Sequence, residues 1–209
     1  MQGQPQQPGA SSGGTATGWG SAVAGVATER RRQGGVTLIE LMITIAVAAV
    51  LLMIAVPSFK KITLSNRLNT AANDLVNAIS VARMEAIKRN SSTQFCSNSA
   101  SDNGSDDLGG ACGTEGGAVW AMSGAAATQV LVGPAALADS IRINGDLTAL
   151  RFTPQGQARK VGDSVAYGSD QLVADICTSQ TDSDNHRRIT MAAGSILTTQ
   201  TSSGDCPAP

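Results

Sequence analysis

This 209-residue chain contains four cysteines, and their spacing indicates which chemistry they could perform. Cys96, Cys112, Cys177 and Cys206 lie far apart, without the short Cys-x-x-Cys spacing that a zinc site favours. An even number of cysteines permits two disulfides but leaves their connectivity open. Their order along the chain favours Cys96 with Cys112 and Cys177 with Cys206, and we expect no metal and no cofactor.

The only histidine, His186, stands between Asp184 and the pair Arg187 and Arg188, so acid–base catalysis has to be considered. A lone histidine beside an aspartate in a polar segment is more often solvated. The sequence also contains no nucleophile elbow, phosphate-binding loop or metal motif. We therefore predict that His186 is a solvated surface residue, that no residue is catalytic and that the protein is not an enzyme.

The composition excludes two broad classes of protein. The formal net charge of −1 excludes a broadly basic nucleic-acid binder. A mean hydropathy near zero, together with 23 glycines and only 3% aromatic residues, excludes a polytopic membrane protein. Residues 1–35 are rich in Gly, Gln, Pro, Ser and Ala and show no apolar periodicity, so this segment cannot form a core.

A single apolar run follows this segment. Residues 36–56 form 21 residues in which Glu40 is the one ionisable group. As a helix the run is about 31 Å long, which is enough to cross a bilayer. Arg30, Arg31 and Arg32 precede it, so we expect a cytoplasmic N-terminal side and a translocated, oxidising location for the rest. An uncleaved anchor and a secretory signal peptide are the alternatives, although a charge inside the run and a long preceding segment fit a secretory signal badly.

The helix is expected to continue past Pro57, which can kink a helix without ending it. Residues 58–90 contain no glycine and no proline. Apolar residues recur there at spacings of three and four, as in an amphipathic helix, at Ile62, Leu68, Ala72, Leu75, Val76, Ile79, Ala82 and Ala86. We predict one helix from Val36 to Asn90, about 80 Å long, with a membrane half and an amphipathic half.

The remaining residues, 91–209, are predicted to form a β-rich head. Short apolar runs alternate with turn signals, which is typical of an antiparallel sandwich. The predicted strands are 93–96, 118–122, 129–132, 140–143, 149–152, 157–161, 173–177, 188–192 and 196–199. The expected fold class is therefore α+β, with one sheet covering the apolar stripe of a long N-terminal helix.

The segment Gly35-Val36-Thr37-Leu38-Ile39-Glu40-Leu41 resembles the prepilin motif of type IV pilins and type II secretion pseudopilins. The resemblance implies that a prepilin peptidase cleaves after Gly35 and that the amine of Val36 is methylated. Phe or Met is commoner than Val at that first mature position. Glu40 and Pro57 match the acidic fifth residue and the proline of the mature family helix. In that family the carboxylate pairs with the N-terminal amine of a neighbouring subunit and sets the register of the filament.

The leader would then comprise residues 1–35, which is long for this family. Our hypothesis is that residues 1–25 are not made and that translation starts at Val26, which leaves the ten-residue leader VATERRRQGG. Residues 36–57 would be the transmembrane and polymerisation helix, residues 58–90 its amphipathic half, and residues 91–209 a periplasmic head.

Looser similarities, in the right order along the chain, resemble the GspH/FimT family of minor pilins and pseudopilins. They lie at 82–90, 117–120, 151–156, 187–190 and Cys206. The resemblance implies a minor pilin or pseudopilin that starts or caps a type IV pilus or a type II secretion pseudopilus. Its expected partners are the prepilin peptidase, other pilins or pseudopilins and the inner membrane.

The alternative function is DNA uptake in natural transformation, because some members of this family bind DNA through a C-terminal Gly-Arg-x-Arg motif. The matching place here, residues 194–197, lacks both arginines. Residues 91–209 carry six Lys and Arg against twelve Asp and Glu, a net charge of −6 that opposes phosphate binding. The candidate DNA contacts are Arg187, Arg188, Arg159 and Lys160.

Overall fold

The structure is a computed structural model that describes residues 35–134, 140–168 and 170–207. The predicted leader, apart from Gly35, and the hypothetical start at Val26 lie outside the described residues. The chain divides into a unit that ends at Ile45 and a unit from Ala46 onward. Within the described residues, the second unit contains the strands and the core.

Helix α1 runs from Leu38 to Arg89, close to the predicted bounds, and includes Pro57 without ending there. Thr37 caps its start, because the Thr37 hydroxyl accepts a hydrogen bond from the Glu40 backbone N–H at 3.3 Å. At its end Asn90 has a φ of 49°, and the Ser91 N–H donates to the Ala86 carbonyl at 3.2 Å. This is the left-handed cap with which many helices end.

Burial along α1 begins about two helical turns after Pro57. The first buried side chain is Leu64, and the buried face continues through Leu68, Ala71, Ala72, Leu75, Ala78, Ile79, Ala82 and Ala86. Ile62 was predicted on this face but is 57% exposed, and Val76 is only partly buried. Helical periodicity locates a face of the helix, but only the packed sheets decide where along the helix that face is covered.

Nine strands are present in the described residues, one for each predicted apolar run. They are β1 (Thr93–Phe95), β2 (Val119–Ser123), β3 (Ala126–Leu131), β4 (Arg142–Ile143), β5 (Leu150–Phe152), β6 (Ala158–Lys160), β7 (Gln171–Cys177), β8 (His186–Ala192) and β9 (Ile196–Ser202). They form a five-stranded sheet in the order β3-β2-β1-β5-β6 and a four-stranded sheet in the order β4-β7-β8-β9. All pairings are antiparallel, so the α+β fold class with open, sandwich-like sheets is confirmed.

Two short helices between β1 and β2 were not predicted. Helix α2 covers Ala100–Asn103 and helix α3 covers Asp107–Cys112. The Asp106 carboxylate caps α3 by accepting the Gly109 N–H at 3.0 Å. A Cβ on Gly109 would lie 2.2 Å from the Asn103 carbonyl oxygen, so only glycine fits this close contact.

The core joins α1 to both sheets rather than to the single sheet that was expected. Its buried residues include Phe95 and Phe152 of the five-stranded sheet and Ile176 and Ile189 of the four-stranded sheet. They form one cluster with the buried face of α1. Full burial of a large apolar side chain contributes about 1.5–3 kcal/mol, so this shared cluster holds the helix and the two sheets together.

Candidate functional site

The residues of the predicted cleavage point are exposed in the structure. Gly35, Val36 and Glu40 all have exposed side chains or backbone, and Glu40 lies in the first turn of α1. A Cβ added at Gly35 would meet no described atom within 4 Å. Within the described residues the fold therefore sets no steric requirement for glycine at position 35.

The first part of α1 presents an almost uninterrupted apolar surface. The exposed fractions of its large apolar side chains range from 48% at Val56 to 77% at Met53, and no residue from Val36 to Pro57 is buried. In the described chain α1 is the helix that is long and apolar enough to cross a membrane. Glu40 is the one ionisable side chain within this surface.

Both disulfides are present, in the pairing that the order of the cysteines favours. Cys96 at the end of β1 bonds to Cys112 at the end of α3, with a Cα–Cα distance of 5.5 Å. Cys177 at the end of β7 bonds to Cys206 near the C-terminus, with a Cα–Cα distance of 5.7 Å. The second disulfide ties the segment that follows β9 to the four-stranded sheet.

Arg187, one of the four candidate DNA contacts, is only 5% exposed. Its Nε donates to Asn69 Oδ1 at 2.7 Å and its Nη2 donates to Ser65 Oγ at 3.0 Å. Its Nη1 donates to the Asp184 carbonyl at 2.8 Å. Burial lowers the pKa of the Arg187 guanidinium, and the charge of Asp184 opposes that shift. The side chain is thus engaged inside the protein rather than presented to a ligand.

The other three candidate cations lie on β6 and β8. Arg188 on β8 and Lys160 on β6 are exposed, and Arg159 on β6 is half-buried. Strands β6 and β8 belong to different sheets. The turn between β8 and β9, where the family motif would carry its arginines, is formed by Ala193, Gly194 and Ser195. Gly194 has a φ of 65° there and supplies no charge.

His186 is not solvated, and the prediction for it was wrong. It is 4% exposed, and its Nδ1 lies 3.0 Å from Asp175 Oδ1 and 3.1 Å from Oδ2. Asn144 also donates to Asp175 Oδ2, at 3.0 Å. Sequence inspection missed Asp175 because it lies on β7, and only the register that places it opposite Arg188 brings it next to His186.

The segment after β9 covers this histidine. Asn185 donates to the Gly204 carbonyl at 2.8 Å and accepts the Gly204 N–H at 3.0 Å. A Cβ on Gly204 would lie 3.2 Å from His186 Nε2, and Nε2 has no hydrogen-bond partner among the described residues. No described hydroxyl or thiol is therefore positioned for activation by this His–Asp pair. No group of three or more potential metal ligands occurs within residues 35–134, 140–168 and 170–207.

Comparison with known protein families gives two matches. The family described as type II transport protein GspH matches residues 71–195, which is more than half of the chain. The prokaryotic N-terminal methylation motif matches residues 30–56, the segment that contains Gly35, Val36 and Glu40. No curated protein and no solved structure matches this chain.

Proposed function

This chain belongs to the GspH family of type II transport proteins, and from that premise we propose that it is a minor pilin or pseudopilin. In this proposal it polymerises through α1 and helps to initiate or cap a type IV pilus or a type II secretion pseudopilus. Its N-terminal methylation motif implies processing by a prepilin peptidase and assembly with other pilins or pseudopilins. The matched families consist of structural proteins, which supports a function without catalysis.

The observation that carries the proposal is the exposed apolar part of α1 with one carboxylate near its start. The side chains that precede Leu64 are not buried within the protein. Such a surface has to be covered by lipid or by other apolar helices, because leaving it in water costs about 25 cal/mol per Å². A bilayer before assembly and neighbouring subunit helices after assembly would meet this need.

Cleavage after Gly35 would create the second half of an ion pair. The new amine of Val36 is cationic, and Glu40 lies one helical turn further along. A carboxylate among packed apolar helices is costly unless it is paired. The two groups could pair within one subunit, but a neighbour's Glu40 reaches the amine at one axial offset only, so pairing between subunits also specifies the register.

Each segment of the chain has a role in this assembly. Residues 1–35 are the leader, residues 36–57 the membrane and polymerisation segment, residues 58–90 the amphipathic segment, and residues 91–209 the head. The apolar helix and the methylation motif indicate a protein anchored in the inner membrane. We place the head in the periplasm, where both disulfides would persist.

We do not favour the DNA-uptake alternative. Arg187 is engaged within the protein, and the remaining candidate cations lie on two sheets of a head whose net charge is negative. Strong DNA binding needs clustered cations that neutralise several phosphates. A gel shift of the purified protein at low and moderate salt should show weak binding that disappears as salt rises.

Three variants of the full-length chain test the proposal in cells. Gly35→Val should leave an unprocessed precursor in the membrane fraction, whereas the wild-type protein should begin at Val36 by N-terminal sequencing. Glu40→Ala should be inserted and processed normally but should be absent from sheared filaments, and Glu40→Asp should be partly impaired. Thr44→Ala, one turn along the same helix, is the control that removes a polar group without removing the charge.

Recovery of Glu40→Ala in sheared filaments at wild-type amounts would contradict the proposed pairing. An N-terminus other than Val36 on the mature wild-type protein would contradict the proposed cleavage point. The Thr44→Ala control should assemble normally, because its hydroxyl bonds only the Leu41 carbonyl in its own helix.

A further inference from the structure

A groove lies between the C-terminal part of α1 and the β8–β9 hairpin. Its volume is about 310 Å³, and its helix side is formed by Arg83, Met84 and Ile87 among others. Phe152 of β5 and Met191 of β8 also line it, and Leu197 of β9 forms the hairpin side. All these residues belong to the unit that begins at Ala46.

The rim of the groove is unusually apolar for the surface of a head. Met84 is 60% exposed and Ile87 is 51% exposed. Phe152 and Met191 are each 1% exposed and are already packed in the core. Clustered exposed apolar side chains of this kind mark a surface that binds another protein.

The groove has one charged lining residue, Arg83. Lys88 and Arg89, on the same helix, are both paired with Glu85, at 3.2 Å and 2.6 Å. Within the part of the chain that the structure describes, the Arg83 guanidinium has no hydrogen bond and no ion pair. A planar guanidinium is suited to bidentate binding of a carboxylate, so the groove is complementary to an apolar segment that carries an acidic group.

Strand β9 supplies an unpaired edge beside the groove. It is the outermost strand of the four-stranded sheet and pairs with β8 on one side. Its seven residues, Ile196–Ser202, include no charged residue and no proline. Charges and prolines are the usual protection of an edge strand against pairing, and without them β9 offers backbone donors and acceptors to an extended segment.

We propose that this groove binds an extended apolar segment of another pilin-type subunit, with a carboxylate of that segment on Arg83. This inference rests on the proposed function and names the contact that the head makes in the filament. The bound segment would cover Met84 and Ile87 and would run beside β9.

A photo-crosslinking experiment on the full-length chain in cells tests the location of the contact. A photo-reactive amino acid at Met84 and, separately, at Thr199 of β9 should crosslink to the same segment of one other pilin-type subunit. The control position is Val132, which is 68% exposed and lies after β3. Crosslinks from Met84 to lipid, to a second copy of this chain or to no protein would overturn the proposal.

A charge exchange tests the chemistry. Arg83→Glu should lower the amount of this chain in sheared filaments by about tenfold, because it places like charges together. Replacing the acidic residue of the crosslinked segment by lysine should restore assembly of Arg83→Glu. The control is Lys88→Glu, which makes the same change of charge on the same helix about 140° away around its axis, at a side chain that is 74% exposed.

Circular dichroism and the presence of both disulfides should confirm that Arg83→Glu is folded. Met84→Asp is a second variant, which disrupts the apolar rim of the groove. Wild-type assembly of both folded variants would overturn the groove proposal. If Glu40→Ala failed to assemble in the same experiment, the proposed function would still stand. If Glu40→Ala also assembled normally, the proposed function would fail as well.

Discussion

Arg187 donates a hydrogen bond from Nε to Asn69 Oδ1 at 2.7 Å, which joins β8 to α1 across 118 residues of sequence. A second bond from the same guanidinium reaches Ser65 Oγ, one helical turn before Asn69, at 3.0 Å. Arg187 Nη1 also donates to the Asp184 carbonyl at 2.8 Å and to the His186 carbonyl at 2.9 Å. One buried cation thus joins the start of the buried part of α1 to the strand that lies against it.

Removal of this guanidinium should destabilise the protein substantially. We expect Arg187→Ala to lower the free energy of unfolding by about 1–3 kcal/mol, since it removes a side chain that is 5% exposed together with its hydrogen bonds to α1 and to the buried His186 carbonyl. Arg187→Lys should recover part of this loss, because an ammonium can replace only some of the bonds of the planar fork. Urea unfolding of a fragment that begins at Leu64 is the measurement.

Arg188→Ala is the matched control for that measurement. Arg188 is the next residue on β8 but is exposed, so its removal should change the unfolding free energy by less than about 0.5 kcal/mol. Equal effects of the two alanine substitutions would contradict the assignment of a structural role to Arg187.

Loss of either disulfide should also destabilise the head. The chain-entropy estimate is about 3 kcal/mol for the Cys96–Cys112 loop, with a sequence separation of 16, and slightly more for Cys177–Cys206, with a separation of 29. We expect the double alanine variant of each pair to unfold at lower urea. Removal of Cys177–Cys206 should in addition increase hydrogen exchange at the Gly204 amide, which bonds Asn185.

Thiol titration of the unfolded, unreduced wild-type protein is the direct measurement of the bonds themselves. If both disulfides form, no thiol should react. Detection of four thiols would show that neither bond forms in the cell.

The stability of the protein should depend on acid pH through Asp106. Hydrogen bonds from Arg151, and one from the Gly109 N–H, lower the pKa of the Asp106 carboxyl from 3.8 to about 2. Because the pKa of this carboxyl is lower in the folded state, its ionised form stabilises the protein at pH values above the unfolded-state pKa of 3.8. That contribution is lost as the pH falls through about 2.

Asp106→Asn isolates this charge, because asparagine also caps a helix and so preserves the start of α3. The Asp106 side chain is 55% exposed, so solvent screening keeps the difference from wild type small. Urea midpoints should show wild type above Asp106→Asn at pH 7 and the two proteins converging near pH 2. A difference that is the same at both pH values would contradict the role of the charge.

The elements of this fold could be predicted from the sequence because local patterns specify them. The apolar run around Glu40, the glycine-free stretch to Arg89 and the cap at Asn90 locate one long helix without reference to any distant residue. The turn signals separate the nine strands in the same local way. The α2–α3 segment was missed because its helices are only four and six residues long and contain too few residues to show a periodicity.

The tertiary structure alone decided which residues these elements bury and bring together. Ile62 was predicted on the apolar face of α1, yet it is 57% exposed, whereas Leu64 is 7% exposed because the head covers the helix there. Arg187 and His186 appear polar and solvated in the sequence, but the register of β7 with β8 and the packing of β8 on α1 enclose both. Asp175 and Asn69 are their partners from other elements. Contacts between residues distant in sequence depend on which strands become neighbours and on how the helix packs against the sheets, and a local pattern of residue types specifies neither.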